Sequence, residues 1–352
     1  MAESPLALTL QAQLERQVDD QHLPGAVAVV TVPGKGRIAL TAGFEDLPKT
    51  RRMKTNARFL IYSITKIFIG VVVLRLGQKK YLTLDDQLSS WCPEIDIAST
   101  ITVRQLLNHT SGLPDYGSLV TYQQAVEAEL REPWSFDEFL KQTCERGLAF
   151  EPGTGGRYSN IGYMLLTRII ERATRKSLGH VLKAEVLTPL QLSATLLVST
   201  PDDLKALVPG YNKAKGKDEM RDVREWYHPG WVAHGVIAST ADEVNRFLEA
   251  LFEGQLLDPQ HLSEMLHMVP IPDSPPTVHA GYGLGIACET NAVFGTHYGH
   301  EGSGPGYRVI ASHAPKLGGT TITVFCNRDE CNPRTIADAL LLTVFQSLEE
   351  AQ

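Results

Sequence analysis

The chain has 352 residues, of which 43% are hydrophobic and 21% charged, and it carries a formal net charge of −7. This composition is typical of a globular protein with a sizeable core, and the length permits two lobes. Because the acidic balance leaves no basic footprint, we expect no nucleic-acid partner. No apolar run reaches the roughly 18 residues of a membrane span, so we expect no membrane contact either.

The amino terminus predicts an amphipathic helix rather than a secretion signal. Leu10, Leu14 and Val18 recur at a spacing of four residues, and no basic segment precedes an apolar run. The five cysteines lack the spacing of a disulfide framework. Cys326 and Cys331 are the closest pair, and spare thiols are favoured there over a disulfide or a metal site. These features favour a cytoplasmic protein with reduced thiols.

Short β-rich runs stand near both ends of the chain, and helices occupy the middle. Gly25–Val32 and Gly36–Phe44, joined by a Pro-Gly-Lys-Gly turn, predict a hairpin. Phe59–Gln78 predicts one buried helix, because it is apolar almost all the way round. Asn160–Ser177 predicts an amphipathic helix. Three pairs predict capping boxes ahead of further helices: Thr102 with Gln105, Ser135 with Glu138, and Thr240 with Glu243.

Strand-like runs return after Gly281, and an apolar helix closes the chain. This order predicts an α+β protein with two lobes. We expect residues 1–59 and 235–352 to form a discontinuous α/β lobe, an antiparallel sheet with the amino- and carboxy-terminal helices. We expect residues 60–234 to form a mainly helical lobe, with the functional site in the cleft between the two.

Ser63 and Lys66 are three residues apart at the beginning of the apolar stretch. On a helix this spacing places both side chains on one face. The free N–H groups of a first turn favour a developing oxyanion, and burial lowers the pKa of a lysine enough to make a neutral amine accessible. The alternative is an N-cap serine with a lysine that extends to solvent. The segment alone leaves both interpretations open.

Tyr158 and Asn160 stand where a Gly-rich loop leads into the next predicted helix. A phenol acts as a general base if a nearby cation lowers its pKa, and an amide can position a substrate carbonyl. A turn tyrosine followed by a capping residue is the alternative.

His300, Glu301 and Gly302 begin a later β-run. A glycine there lets a substrate backbone approach closely, and an N–H beyond Gly302 is a candidate oxyanion donor. A zinc site on His297 and His300 is disfavoured, because no third ligand is suitably spaced.

Two further stretches invite a functional interpretation. His109 and Ser111 suggest a Ser–His pair, but the surrounding Thr-Ser-Gly-Leu-Pro is more typical of a turn. The aromatic stretch Glu225–His234 is expected to line an acyl pocket, with simple coverage of the core as the alternative.

In their order along the chain, these segments resemble the penicillin-recognising serine hydrolases of the class C β-lactamase type. That family includes DD-peptidases, D-aminopeptidases and family VIII carboxylesterases. The resemblance spans about Gly25 to Arg328 and includes YSITK, ITVRQLLNHTSGLPDY, FEPGTGGRYSNIGYMLL, YGLG and YGHEGSGPGY. It implies a β-lactamase/transpeptidase-like fold, an antiparallel sheet flanked by helices.

The resemblance also implies roles for the first two motifs. Ser63 would be the acylating nucleophile, and Lys66 and Tyr158 would form the proton-transfer pair, with Tyr158 favoured as the base. Asn160 would contact the substrate carbonyl.

His300 and Gly302 match the family's third motif, and the backbone N–H groups of Ser63 and Ser303 would form the oxyanion hole. His300 stands where β-lactamases of this type usually have lysine, and a neutral imidazole is a weaker anchor for a carboxylate. Glu301 is expected to add negative charge near that anchor, with Arg308 as a compensating cation.

These features favour an esterase that acts on small or medium acyl esters through a Ser63 acyl-enzyme. The expected partner is a small-molecule ester or amide, and no metal or organic cofactor is needed. The alternatives are a transacylase, as in the related acyltransferase of statin biosynthesis, and a D-aminopeptidase or DD-peptidase with weak β-lactamase activity. A non-catalytic binding homologue is the remote alternative.

Overall fold

The structure is a computed structural model that describes residues 4–95, 100–128, 132–145, 147–213, 218–271, 281–291 and 293–350. Its helices are α1 (Pro5–Asp20), α2 (Thr65–Gln78), α3 (Leu88–Trp91), α4 (Val103–Leu107), α5 (Val120–Glu127), α6 (Phe136–Cys144), α7 (Asn160–Thr174), α8 (Leu178–Leu182), α9 (Pro201–Leu204), α10 (Ala241–Phe252), α11 (Pro259–Met265) and α12 (Pro333–Glu349).

Its strands are β1 (Gly25–Val32), β2 (Gly36–Gly43), β3 (Phe59–Leu60), β4 (Leu196–Val198), β5 (Tyr211–Lys213), β6 (Met220–Asp222), β7 (Val236–Ser239), β8 (Gly281–Tyr282), β9 (Ala287–Asn291), β10 (Gly295–Gly304), β11 (Tyr307–Ala314) and β12 (Thr320–Cys326).

The main sheet unites the two ends of the chain. Its strand order is β2-β1-β12-β11-β10-β9-β8, and each neighbouring pair is antiparallel. The hairpin β1–β2 is the one that the sequence predicts, and β1 joins β12 with Val27 opposite Phe325. This antiparallel sheet with flanking helices confirms the α+β fold class.

Helices cover both faces of this sheet. On one face, α1 and α12 bury Leu10, Leu14 and Leu340 against alternate residues of β1 and β12. On the other face, α10 and the buried helix α2 pack together, and Phe68 stacks on Phe247 with ring centroids 3.7 Å apart. Because side chains alternate between the two faces of each strand, the sheet separates two apolar cores.

The helical middle of the chain contains short strands that sequence analysis did not predict. A three-stranded sheet has the order β3-β7-β4, and β5 pairs with β6. Strand β3 spans the first proposed lobe boundary, and β7, which begins just after the second, pairs with both β3 and β4. The division into lobes at these boundaries stays a prediction.

The apolar stretch Phe59–Gln78 is not one helix, so this part of the sequence prediction is wrong. Its first two residues form β3, residues Tyr62–Ile64 form a 3₁₀ turn, and the α-helix begins only at Thr65. Tyr62 has a φ of 42°, a left-handed backbone conformation that cannot continue a right-handed helix. The chain is thus bent at the residue before Ser63.

One of the three expected capping boxes forms completely. Thr102 and Gln105 exchange both hydrogen bonds at the beginning of α4. Ser135 and Thr240 cap their helices through their side-chain oxygens, but Glu243 instead accepts hydrogen bonds from Ala194 and Thr195. Among the helices that the structure describes, none combines the length and apolar character needed to cross a membrane.

Two glycines of α2 give a test of this packing. A Cβ on Gly70 would lie 2.4 Å from the Leu284 carbonyl oxygen, whereas the nearest atom to a Cβ on Gly77 is 3.9 Å away. We expect Gly70→Ala to lower the free energy of unfolding by about 1–3 kcal/mol, because backbone must move to admit the methyl group. Urea unfolding of the purified variants measures the change.

Gly77→Ala is the matched control in the same helix. It gains helix propensity without a clash, so its free energy of unfolding should stay equal or rise by up to about 1 kcal/mol. Equal effects of the two substitutions would contradict the close contact between α2 and Leu284.

Candidate active site

The turn that carries Ser63 is held between two strands and a helix. The Ile61 N–H donates to the Ile237 carbonyl oxygen at 2.9 Å, and the Ile237 N–H donates to Thr65 Oγ1 at 3.1 Å. Ser63 therefore lies at a fixed point between β3 and the amino terminus of α2. The positive end of that helix dipole favours negative charge at this point.

Lys66 is completely buried, and its amine has three polar neighbours. Nζ lies 3.1 Å from Ser63 Oγ, 2.7 Å from Asn160 Oδ1 and 3.4 Å from His234 Nε2. Burial lowers the pKa of Lys66 to about 7, and the charge of Asp115 opposes this decrease. Near neutral pH a substantial fraction of this amine is therefore uncharged and able to accept a proton.

Tyr158 contacts the same hydroxyl group. Its OH donates to Ser63 Oγ at 2.9 Å, and its ring lies 4.9 Å from Lys66 Nζ. Burial raises the pKa of Tyr158, although the hydrogen bond to Ser63 opposes the increase. The phenol therefore keeps its proton at neutral pH, in contrast to the expectation that favoured Tyr158 as the base.

Asn160 connects Lys66 to the carboxylate of Asp115. Its Oδ1 accepts from Lys66, while its Nδ2 donates to Asp115 Oδ1 at 3.0 Å. The Asn160 N–H donates to the same carboxylate oxygen at 2.9 Å, at the beginning of α7. The amide is thus oriented by Asp115 and bridges it to the lysine, a contact that the sequence did not predict.

His300 is held by hydrogen bonds at both ring nitrogens. Nδ1 lies 2.5 Å from the Glu301 carbonyl oxygen, and Nε2 lies 2.9 Å from the Tyr282 OH. A carbonyl can only accept, so Nδ1 carries a proton and donates to it, while Nε2 and the Tyr282 OH form a hydrogen bond with each other. The ring centroids of His300 and Tyr158 are 6.0 Å apart. His300 is therefore close to the site, but both nitrogens already have partners.

Strand β10 runs directly beside the turn that carries Ser63. A Cβ on Gly302 would lie 2.2 Å from the Ile61 carbonyl oxygen, so only glycine fits here without a shift of backbone. The Tyr62 OH also donates to the Pro305 carbonyl oxygen at 2.6 Å. Ser303, the residue after Gly302, therefore lies in the part of β10 that borders the turn.

Glu301 and Arg308 do not face Ser63, which corrects the expectation that they act at a carboxylate anchor. Side chains alternate along a strand, so Glu301 points away from the face of His300 and pairs with Arg334 of α12. Arg308 lies directly opposite Ser303 in β11, and its Nε donates to the Asp329 carbonyl oxygen at 2.6 Å. Burial raises the pKa of Glu301 to about 7, opposed by Arg308.

His109 and Ser111, which the sequence also suggested as a catalytic pair, have structural contacts instead. His109 Nδ1 accepts from the Ser159 N–H at 3.2 Å, and its ring packs 4.4 Å from that of Tyr158, so it supports the Tyr158 loop. The Ser111 hydroxyl accepts from the Leu113 N–H, as expected of a turn.

His297 lies near Glu289 on the opposite face of β10 from His300, so the two histidines do not converge. Cys326 and Cys331 are both free thiols.

The aromatic stretch Glu225–His234 only partly lines a cavity. A cavity of about 570 Å³ is bordered by Arg224, Trp226 and His228, while Trp231 belongs to the buried core. An acyl-binding role of this cavity stays a prediction.

Three residues of the site were not singled out from the sequence: Asp115, His234 and Tyr282. Each lies within a segment already noted, namely GLPDY, EWYHPGWVAH and YGLG. Their contacts join positions far apart in the chain, such as the 168 residues between Lys66 and His234. Periodicity and spacing carry no signal for such contacts.

The buried amine predicts a pH-dependent stability. Because the pKa of Lys66 is lowered from 10.5 to about 7, the unfolded chain binds more protons than the folded chain between these pH values. Stability from this group therefore rises with pH across that window. We expect Lys66→Met to be more stable than the unmodified chain by roughly 2–4 kcal/mol at pH 7, and by less at pH 9.5.

Urea unfolding at the two pH values measures this difference. The exposed residue Lys141 offers the control, since Lys141→Met should give the same difference at both. A pH-independent effect of Lys66→Met would contradict a largely neutral buried amine.

Known proteins share this arrangement of the chain. A D-amino acid amidase from Ochrobactrum anthropi SV3 has a similar solved structure, with a TM-score of 0.86 and 26% identity over 98% of this chain and 100% of that chain. A D-stereospecific amidohydrolase from Streptomyces sp. gives a TM-score of 0.82 and 29% identity, over 95% of this chain and 98% of that chain.

Curated relatives match shorter parts. Esterase EstB of Burkholderia gladioli is 30% identical over 229 residues, which are 62% of this chain and 58% of the esterase. A penicillin-binding protein of Bacillus subtilis is 27% identical over 285 residues, 76% of this chain and 60% of that protein. The chain thus spans about three fifths of the length of these two relatives.

The family assignment rests on nearly the whole chain. The family model described as Beta-lactamase matches residues 10–345. This match and the similar solved structures confirm the resemblance that the sequence motifs indicate. The chain therefore belongs to the β-lactamase family, the penicillin-recognising serine hydrolases.

Proposed function

We propose that this chain hydrolyses carboxylic esters of small or medium acyl groups through an acyl-enzyme on Ser63. The observation that supports this proposal most directly is the pair of contacts at Ser63 Oγ, with Lys66 Nζ at 3.1 Å and the Tyr158 OH at 2.9 Å. A hydroxyl between a group that can accept its proton and a group that can supply one is suited to acyl transfer.

Lys66 is the base in this proposal. Its neutral form takes the Ser63 proton as Oγ attacks the ester carbonyl, and its pKa of about 7 makes that form accessible at neutral pH. Tyr158 keeps its own proton and gives it to the departing alkoxide, after which Lys66 returns a proton to the phenol. These roles reverse the preference for Tyr158 as the base.

The oxyanion would be stabilised by backbone donors. The N–H groups of Ser63 and Ser303 are the candidates, because Gly302 of β10 lies against the backbone of the turn that carries Ser63. Departure of the alcohol leaves an ester on Ser63. Water then attacks this ester with Lys66 as base, and release of the acid restores the Ser63 hydroxyl.

Amide hydrolysis is the second candidate, and the structural relatives favour it. The two similar amidases match this chain over nearly its whole length. An amine is a poor leaving group that must be protonated, and the Tyr158 OH holds a proton 2.9 Å from Ser63 Oγ. D-amino acid amides are therefore the amides to test beside esters.

Substrates without a carboxylate on the leaving group are favoured in either case. The two ring nitrogens of His300 are engaged by Glu301 and Tyr282, so this residue offers no free donor to such a carboxylate. Glu301 and Arg308 lie on the other face of the strands. Penicillins and D-alanyl peptides, which carry that carboxylate, fit this arrangement less well than neutral esters.

Substitution of the nucleophile tests the proposal. The unmodified chain should give a burst of p-nitrophenol from p-nitrophenyl butyrate and a mass adduct on Ser63. Ser63→Ala should lose the burst and about 10⁴-fold or more of the turnover, because no covalent intermediate can form. Ser111→Ala is the matched control and should keep both.

A burst that survives in Ser63→Ala would refute the proposal. A panel of esters and D-amino acid amides separates the esterase from the amidase by the ratio of kcat/KM. Faster release of the acyl group on addition of hydroxylamine would favour the transacylase, and no adduct with any electrophile would favour a binding homologue.

A second prediction concerns the leaving-group carboxylate. We expect kcat/KM for the methyl ester of an acyl D-lactate to exceed kcat/KM for the free acid by about tenfold or more. This factor corresponds to one missing charge-assisted hydrogen bond to the carboxylate of the free acid. A preference of the unmodified chain for the free acid would contradict the proposed role of His300.

A further inference from the structure

His234 touches the proposed base but has no part in the acyl transfer outlined above. Its side chain is 1% exposed, and its Nε2 lies 3.4 Å from Lys66 Nζ. Its Nδ1 is also buried and has no hydrogen-bond partner among the described residues. Within the described structure, the one polar contact of this ring is therefore with the amine.

The backbone fixes the position of His234 from two directions. Thr167 of α7 donates its hydroxyl to the His234 carbonyl oxygen at 3.2 Å. Two residues later the chain enters β7, which pairs with β3 directly before the Ser63 turn. The distance between the imidazole and the amine is thus set by the same strands that hold the nucleophile.

The imidazole is surrounded by groups that keep it neutral. Burial and the charge of Lys66 lower the pKa of His234 well below its usual range, and His109 and His300 lower it further. The Tyr163 ring lies 6.1 Å away, nearly edge to face.

The Lys66 amine has further titratable groups around it. Asp115, behind Asn160, is the carboxylate that favours a charged Lys66. The rings of Tyr158 and Tyr163 lie 4.9 and 5.3 Å from Nζ.

We propose that neutral His234 is a positioning residue for the base: its Nε2 accepts a hydrogen from Lys66 and directs the lone pair of the amine toward Ser63. This inference rests on the proposed function, in which Lys66 takes the Ser63 proton.

A neutral amine has two N–H groups and one lone pair. When the amine donates these two hydrogens to Asn160 Oδ1 and His234 Nε2, its lone pair points to the Ser63 O–H and can accept from it. When the proton has moved, the ammonium keeps both acceptors, and its third N–H faces Ser63 Oγ. Loss of His234 would leave the amine free to rotate away from the hydroxyl.

The sign of the pH effect follows from this contact. An acceptor stabilises the ammonium more than the amine, so His234 holds the pKa of Lys66 higher than burial alone would. Removal of the acceptor should lower that pKa, and the rise of reactivity with pH should move to lower pH.

The test uses His234→Leu and His234→Gln in the full chain. Leucine removes the acceptor, whereas the glutamine amide reaches the position of Nε2 and restores it. The readout is the rate at which a fluorophosphonate labels Ser63 between pH 5 and 10, which needs no knowledge of the natural substrate. We expect the leucine variant to label about tenfold more slowly at its optimum, with its pH dependence shifted down by about half to one unit. The glutamine variant should resemble the unmodified chain.

The pH dependence of urea unfolding supplies a second readout that needs no reactive Ser63. In His234→Leu, the rise of stability with pH should begin at lower pH than in the unmodified chain. If the unmodified chain is not labelled at all, the proposed function fails, and the unfolding profiles still test the contact. Unshifted labelling and unfolding profiles in a folded leucine variant would overturn the inference and leave His234 as a packing residue.

Discussion

The enclosure of one amine governs the rest of the site. Lys66 is completely buried, and among the described residues its Nζ has three close polar neighbours, Ser63, Asn160 and His234. An ammonium group without water is costly, so each of these neighbours must be held at hydrogen-bonding distance. Asp115 holds Asn160, Thr167 holds His234, and paired strands hold Ser63. Burial also lowers the pKa of this amine to about 7, so its neutral form is accessible near neutral pH.

The sheet and the helices meet where little room is left for side chains. Gly302 brings β10 against the Ile61 carbonyl, and Gly70 brings α2 against Leu284. Between these two contacts lies the short turn with its left-handed Tyr62. Backbone of β10 thus closes one side of the turn that carries Ser63, and the close approach of α2 to Leu284 holds the helix that follows this turn.

Local patterns predicted the elements whose conformation depends on local sequence. The β1–β2 hairpin, the buried face of α1 and the helix after Ser159 follow from turn residues and periodicity. Motif resemblance indicated the residues that converge on Ser63. The break at Tyr62 and the contacts of Asp115 and His234 were not predictable, because tertiary packing sets them. The pairing of Glu301 with Arg334 was not predictable either, because tertiary packing alone brings these two positions together.

Strand β10 carries two separate tasks on its two faces. The face with His300 and Gly302 borders the nucleophile turn, while the face with Glu301 is tied to Arg334 of α12. Adjacent residues of this strand thus have different contacts, one beside the Ser63 turn and the next at the carboxy-terminal helix. Specificity can change at every second position of this strand without loosening the helix behind it.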